Sequence, residues 1–123
     1  MIRINRLTDY AVVVLADMSH ATGARPASQI AADTGVPVPT VAKLMKALSH
    51  GGLVSSIRGA AGGYALARTA DAISVADIIE AVEGPIAITS CVDETEENCG
   101  IERMCPMHGH WGRINGTIRR ALA

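Results

Sequence analysis

Two short apolar patterns of helical spacing, parted by a glycine and followed at once by a glycine-tipped pair of strand-like runs, occupy residues 27–67 and constrain the fold more than any other segment. The first pattern runs from Ala27 to Thr34 and carries Ile30 and Ala31, and Gly35 follows where a left-handed backbone closes a helix. Pro37 and Pro39 have no amide hydrogen and are tolerated only at or before a first helical turn, so a second helix starts there. It continues through Val41, Leu44, Met45 and Leu48 to Gly51 and Gly52. Small Ala31 lets the two helices cross closely, Gly35 supplies the turn, and Val36, Val41 and Leu44 bury the pair, which is the helix-turn-helix spacing. Thr34 departs from it, since an apolar residue is usual at that place. Leu53 to Arg58 and Tyr64 to Ala67 then read as two strands joined through Gly59, Gly62 and Gly63. A hairpin placed directly after a helix-turn-helix is the pattern of a winged helix.

The flanks are helical. Leu7, Tyr10, Ala11, Val14, Leu15 and Met18 share one face of a first helix that Asn5 or Thr8 is placed to cap. Ser74 caps another helix bearing Val75, Ile78, Ile79 and Val82, ended by Gly84 and Pro85. Near the end, Trp111, Ile114, Ile118 and Leu122 form a stripe on a helix with little domain left to cover it, so a second copy of the chain is expected to do so. The expected fold is mainly α: residues 1–84 a winged helix-turn-helix DNA-binding domain with a small β-hairpin wing, residues 85–123 a loop and a C-terminal dimerisation helix. With no Phe and only Tyr10, Tyr64 and Trp111 as aromatic residues, the core must be built from Ala, Val, Ile, Leu and Met.

The net charge of −1 conceals an asymmetry. Residues 1–70 hold seven basic residues against three acidic ones, and the remainder holds four against nine. A basic half that meets phosphate and an acidic half that does not would divide this way. On a winged helix, Thr40, Lys43 and Lys46 project from the recognition helix, Thr40 toward a base edge or phosphate and the lysines toward the backbone. Arg58 and Gly59 stand at the hairpin tip, where a guanidinium enters a narrow minor groove and a glycine lets the backbone approach. The competing reading of the lysines and of Arg58 is a solvated surface.

Three cysteines, Cys91, Cys99 and Cys105, lie in one acidic, aperiodic segment with His108 just beyond. Three cannot all pair within a chain, and their clustering argues for ligands rather than a disulfide framework. With seven, five and two residues between successive members, three thiolates and an imidazole can enclose one metal or one cluster. Taken alone, the set suits tetrahedral zinc at least as well as iron and sulphide.

Several segments together carry a resemblance: Arg6 to Ala11, Gly51 to Gly59, Gly62-Gly63-Tyr64 and the three-cysteine loop. They resemble the Rrf-two family of bacterial iron-sulphur transcription regulators, of the IscR and NsrR kind. Glu80 to Ala87 and Trp111 to Asn115 look most like the branch that regulates the Suf cluster-assembly operon. The resemblance implies that Cys91, Cys99 and Cys105 ligate an iron-sulphur cluster, 2Fe-2S or 4Fe-4S, and that Arg58 lies in the DNA-contacting wing. It offers two fourth ligands. His108 matches the Cys-x-x-His ending of one branch, and Asp9 matches an aspartate that reaches the partner subunit's cluster in nitric-oxide-sensing relatives.

The expected protein is therefore a homodimeric repressor of iron-sulphur cluster assembly genes, binding a palindromic double-stranded DNA operator with an affinity set by cluster occupancy. The alternatives are a nitric-oxide- or iron-responsive repressor of the same family, and a zinc or thiol-based redox switch that binds DNA without iron. An enzyme is not expected, because no nucleophile, base and orienting partner occur together and the glycines near Gly59 form no phosphate loop. The apolar runs are too short for a bilayer and no signal peptide is evident, so a cytoplasmic protein without membrane contact is expected.

Overall fold

A computed structural model describes residues 3–93, 100–101, 104–107 and 109–123. The first helix, α1 (Arg6–His20), begins at Asn5, whose side chain accepts the Thr8 amide at 2.8 Å. Thr8 is therefore not the cap: it is fully buried, and its hydroxyl donates to Glu83 at 2.6 Å. Helices α2 (Ala27–Thr34) and α3 (Val38–His50) are joined through Gly35, whose φ of 80° supplies the left-handed closure. Thr34 fits the turn because its hydroxyl bonds locally, donating to the Ile30 carbonyl at 2.8 Å and accepting the Val36 amide at 3.3 Å. A hydroxyl that satisfies the helix end needs no apolar environment.

The wing is an antiparallel pair, β1 (Val54–Ile57) and β2 (Gly63–Leu66), in the register Val54 to Leu66 and Ile57 to Gly63. Leu53 lies outside the ladder and is buried in the core, so the first strand is shorter than its apolar run suggests. A 3-10 turn at Ala70–Ala72, which carries no periodic signal, leads to α4 (Val75–Val82). Ser74 and Asp77 close a capping box at the start of α4: Ser74 Oγ accepts the Asp77 amide at 3.1 Å and Asp77 accepts the Ser74 amide at 3.0 Å. A second 3-10 turn, Ser90–Val92, precedes α5 (His110–Leu122).

The largest fully buried side chains are Ile30, Leu44, Met45, Leu48, Leu53, Val14, Val41 and Thr8, so aliphatic residues and one methionine fill the interior between α1, α2, α3 and β1. The fold is a mainly helical winged helix-turn-helix. Helix α5 contributes nothing to that core: Trp111, Ile118 and Leu122 are half-buried and Ile114 is 41% exposed. Among the described residues, no helix is long and apolar enough to cross a membrane.

Candidate nucleic-acid interface and cysteine site

Helix α3 buries Val41, Leu44, Met45 and Leu48 completely, and this fixes what its other side presents. Thr40 is half-buried, while Lys43 and Lys46 are exposed. Their spacing of three residues winds them along one flank of the helix. Arg58 is exposed just past the last β1 residue, where the hairpin tip begins. The tip is held by the Gly62 amide donating to the Gly59 carbonyl at 3.0 Å. Gly59 has a φ of 112°, and a Cβ on Gly62 would lie 2.2 Å from the Ile57 carbonyl oxygen, so this turn closes only around glycine. Such a tip carries a guanidinium on a narrow, low-profile backbone.

Cys91 sits in the 3-10 turn that follows α4, half-buried, with its sulphur 3.1 Å from the Thr89 hydroxyl. The turn packs on α5, and the side chain of Asn115 holds residues 86–88, the segment leading into it, through two hydrogen bonds. Asn115 Oδ1 accepts the Ile88 amide at 3.0 Å and Nδ2 donates to the Ile86 carbonyl at 2.7 Å. Cys105 is half-buried and unpaired as a disulfide, as is Cys91. Cys99 and His108 lie outside the described residues. Asp9 is exposed in the first turn of α1, where it lines a groove with Arg3, Ile4, Arg6, Val12 and Val75. Among the described residues, no three His, Cys, Asp or Glu side chains come together as a metal site. The donors that are described are two half-buried thiols, one with a hydroxyl at hydrogen-bonding distance, a chemistry compatible with zinc as well as with iron and sulphide.

Two features escaped the sequence reading. Asn115 stands between Ile114 and Gly116 on α5 and shows no spacing that would reveal its clamp. Arg25, counted above only as a charge, is 17% exposed and hydrogen-bonded to two aspartates.

A helix-turn-helix followed by a glycine-tipped wing defines a winged-helix DNA-binding domain. Residues 4–123 match the Rrf2 family, described as an iron-dependent transcriptional regulator. The chain belongs to the Rrf2 family of transcription regulators. It is 34% identical over 112 residues to the HTH-type transcriptional regulator IscR of Erwinia tasmaniensis, covering 89% of this chain and 66% of that one, so it spans about two thirds of that relative's length. The solved structure of CymR, the global cysteine regulator of B. subtilis, matches with 32% identity and a TM-score of 0.71 over 99% of this chain and 90% of that one. T. potens IscR matches with 26% identity and a TM-score of 0.67 over 98% and 80%. These relatives are transcription regulators, not enzymes.

Proposed function

We propose that this chain is an iron-sulphur-dependent repressor of cluster assembly genes that binds a palindromic DNA operator as a homodimer. Residues 1–84 form the reading unit and 85–123 the sensing and dimerising unit. Cys91, Cys99 and Cys105 hold the cluster, with His108 completing it in preference to Asp9, since His108 follows Cys105 in sequence and needs no partner subunit. A bound cluster supplies a centre whose charge and ligation respond to iron, oxygen or nitric oxide. The chain supplies the rest: Asn115 fixes the approach to Cys91, and the Thr89 hydroxyl orients and polarises its sulphur. Lys43 and Lys46 meet phosphate, Thr40 meets a base edge or phosphate, and Arg58 with Gly59 enters the minor groove.

The observation that carries this reading is the half-buried, free Cys91 on a turn fastened to α5, a sulphur held in place beside the helix. The test is anaerobic purification with iron and sulphide quantified, followed by operator binding of the loaded and stripped protein. Brown protein with visible charge-transfer bands and an affinity that changes on stripping is the expected result. Comparing His108→Ala with Asp9→Ala after reconstitution orders the fourth ligand: loss of the cluster signature in Asp9→Ala alone would place the ligand across the dimer. The likeness to CymR favours one second reading, a thiol or zinc switch without iron. A colourless protein whose DNA binding follows zinc or thiol oxidation would establish that reading instead.

A further inference from the structure

The loop between α1 and α2 does more than connect them. Arg25 lies in it with its backbone paired to the wing: its amide donates to the Tyr64 carbonyl at 3.1 Å, and the Tyr64 amide donates to its carbonyl at 2.7 Å. Gly63, next to Tyr64, has a φ of 139°, and a Cβ there would lie 2.2 Å from the Arg25 carbonyl carbon and oxygen. The wing therefore meets this loop backbone to backbone. The Arg25 side chain runs the other way and forks. Nη2 donates to Asp17 of α1 at 2.7 Å, and Nη1 donates to Asp33 of α2 at 2.6 Å. The second Asp33 oxygen accepts from Gln29 at 2.9 Å, which fixes the carboxylate that Arg25 grips. Burial draws the guanidinium toward losing its charge, but the hydrogen bonds to Asp17 and Asp33 and their negative charges outweigh it, so it stays protonated.

One residue thus fastens β2, α1 and α2 at a single point. Helix α2 packs on α3, so the same fastening sets the wing tip relative to the recognition helix. The planar guanidinium aims its two nitrogens at the two helices in a fixed geometry, which the compact, freely rotating ammonium of a lysine does not reproduce. The base of the hairpin is held at the core by Val54, Tyr64 and Leu66, but toward the tip Ser55, Ser56, Ile57 and Arg58 all face solvent, so the Arg25 to Tyr64 pairing is the fastening beside the tip.

We propose that Arg25 is a positioning residue for DNA recognition, acting at a distance by holding the wing at the angle where Arg58 reaches the groove. This inference rests on the reading of Arg58 as a groove contact. It goes beyond that reading by assigning wing geometry to a residue that never touches DNA.

The experiment measures operator affinity at one fixed ionic strength for Arg25→Gln and Arg25→Lys, each with Arg58 intact and with Arg58→Ala. Arg25→Gln is expected to weaken binding about tenfold with Arg58 present and by less than about twofold once Arg58 is gone, the non-additivity of two residues that act as a unit. Arg25→Lys should recover only part of the loss. Gly63→Ala pushes on the same contact from the wing side without changing charge, and should show the same dependence on Arg58. It keeps the test sound if Arg25→Gln is poorly folded. Equal losses with and without Arg58, from both Arg25→Gln and Gly63→Ala, overturn this inference alone, since a general loss of fold or of electrostatic attraction acts regardless of the wing. An affinity untouched by Arg58→Ala overturns the groove contact and this inference with it.

Discussion

Asn115→Ala removes both hydrogen bonds that hold residues 86–88 to α5. A neutral hydrogen bond contributes about 1 kcal/mol net, and both backbone groups are only part-buried, so water replaces some of what is lost. The expected deficit is about 1.5 kcal/mol, which corresponds to roughly a tenfold rise in local opening. Since α5 adds nothing to the central core, this loss should stay local: exchange of the Ile88 amide accelerates about tenfold, while amides of Leu44 and Met45 in α3 exchange as before. Cys91 is three residues further on, so its alkylation rate in the cluster-free protein should rise in parallel. Asn115→Asp is the control: it keeps an acceptor for the Ile88 amide and sets an oxygen against the Ile86 carbonyl, so one bond survives and the Ile88 rate falls between the other two. Hydrogen exchange read by NMR distinguishes these cases residue by residue. An Ile88 rate that does not change, or a rise shared equally by Leu44, would refute the idea that Asn115 holds this segment.

Arg58→Ala should weaken operator binding by about 1–3 kcal/mol at fixed salt and leave the visible spectrum as it was; unchanged affinity removes Arg58 from the contact set. The Asp77 carboxyl is held below its ordinary range first by the Ser74 backbone hydrogen bond, then, against the opposing effect of burial, by the Ser74 side chain and the charge of Arg68. Its stabilising contribution is thus complete above the unfolded aspartate pKa and disappears as pH falls through the lower folded value; thermal midpoints of wild type and Asp77→Asn should converge in acid, and curves that stay parallel would contradict this. Sedimentation at micromolar concentration should show a dimer that Ile114→Glu dissociates, whereas a wild-type monomer would remove both the dimer and the palindromic operator.

What the sequence made legible follows from punctuation. Gly35 closes α2, Pro37 and Pro39 open α3, and Ser74 opens α4, because each residue sets the backbone locally. The stripe on α5 was equally plain from its period. What stayed hidden depends on partners distant in sequence. Thr8 looks like a cap until Glu83, 75 residues away, takes its hydroxyl. Arg25 finds Asp17 and Asp33 eight residues to either side, on two different helices with Arg25 itself in the loop between them, a pairing that no periodicity within one element reveals. The cysteine segment showed its chemistry through composition alone, and its attachment to α5 through Asn115 required the fold.

If the cysteine segment moves α5, that movement must reach α3 to alter DNA binding, and α4 is packed against both. The two joints differ in kind. Between α4 and α5 stands the Arg119 to Glu80 pair at 2.9 Å, with Arg119 largely exposed, and a pair of that sort contributes little. Between α3 and α4 the joint is steric: a Cβ built on Gly51 would lie 2.8 Å from the Ala81 Cβ. Gly51 has a φ of −79°, so alanine is free of backbone strain there and any effect must come from the clash. Gly51→Ala should therefore lower stability by about 1–3 kcal/mol through overpacking and shift the difference in operator affinity between loaded and stripped protein. Ala81→Gly deletes the methyl that the new one meets. Alone it should cost about 1 kcal/mol in helix propensity, and combined with Gly51→Ala it should cost less than the two losses added together. Strict additivity in that double-mutant cycle, read by thermal unfolding, would show that α3 and α4 are not in contact at this point and that the route from the cysteines to the recognition helix lies elsewhere.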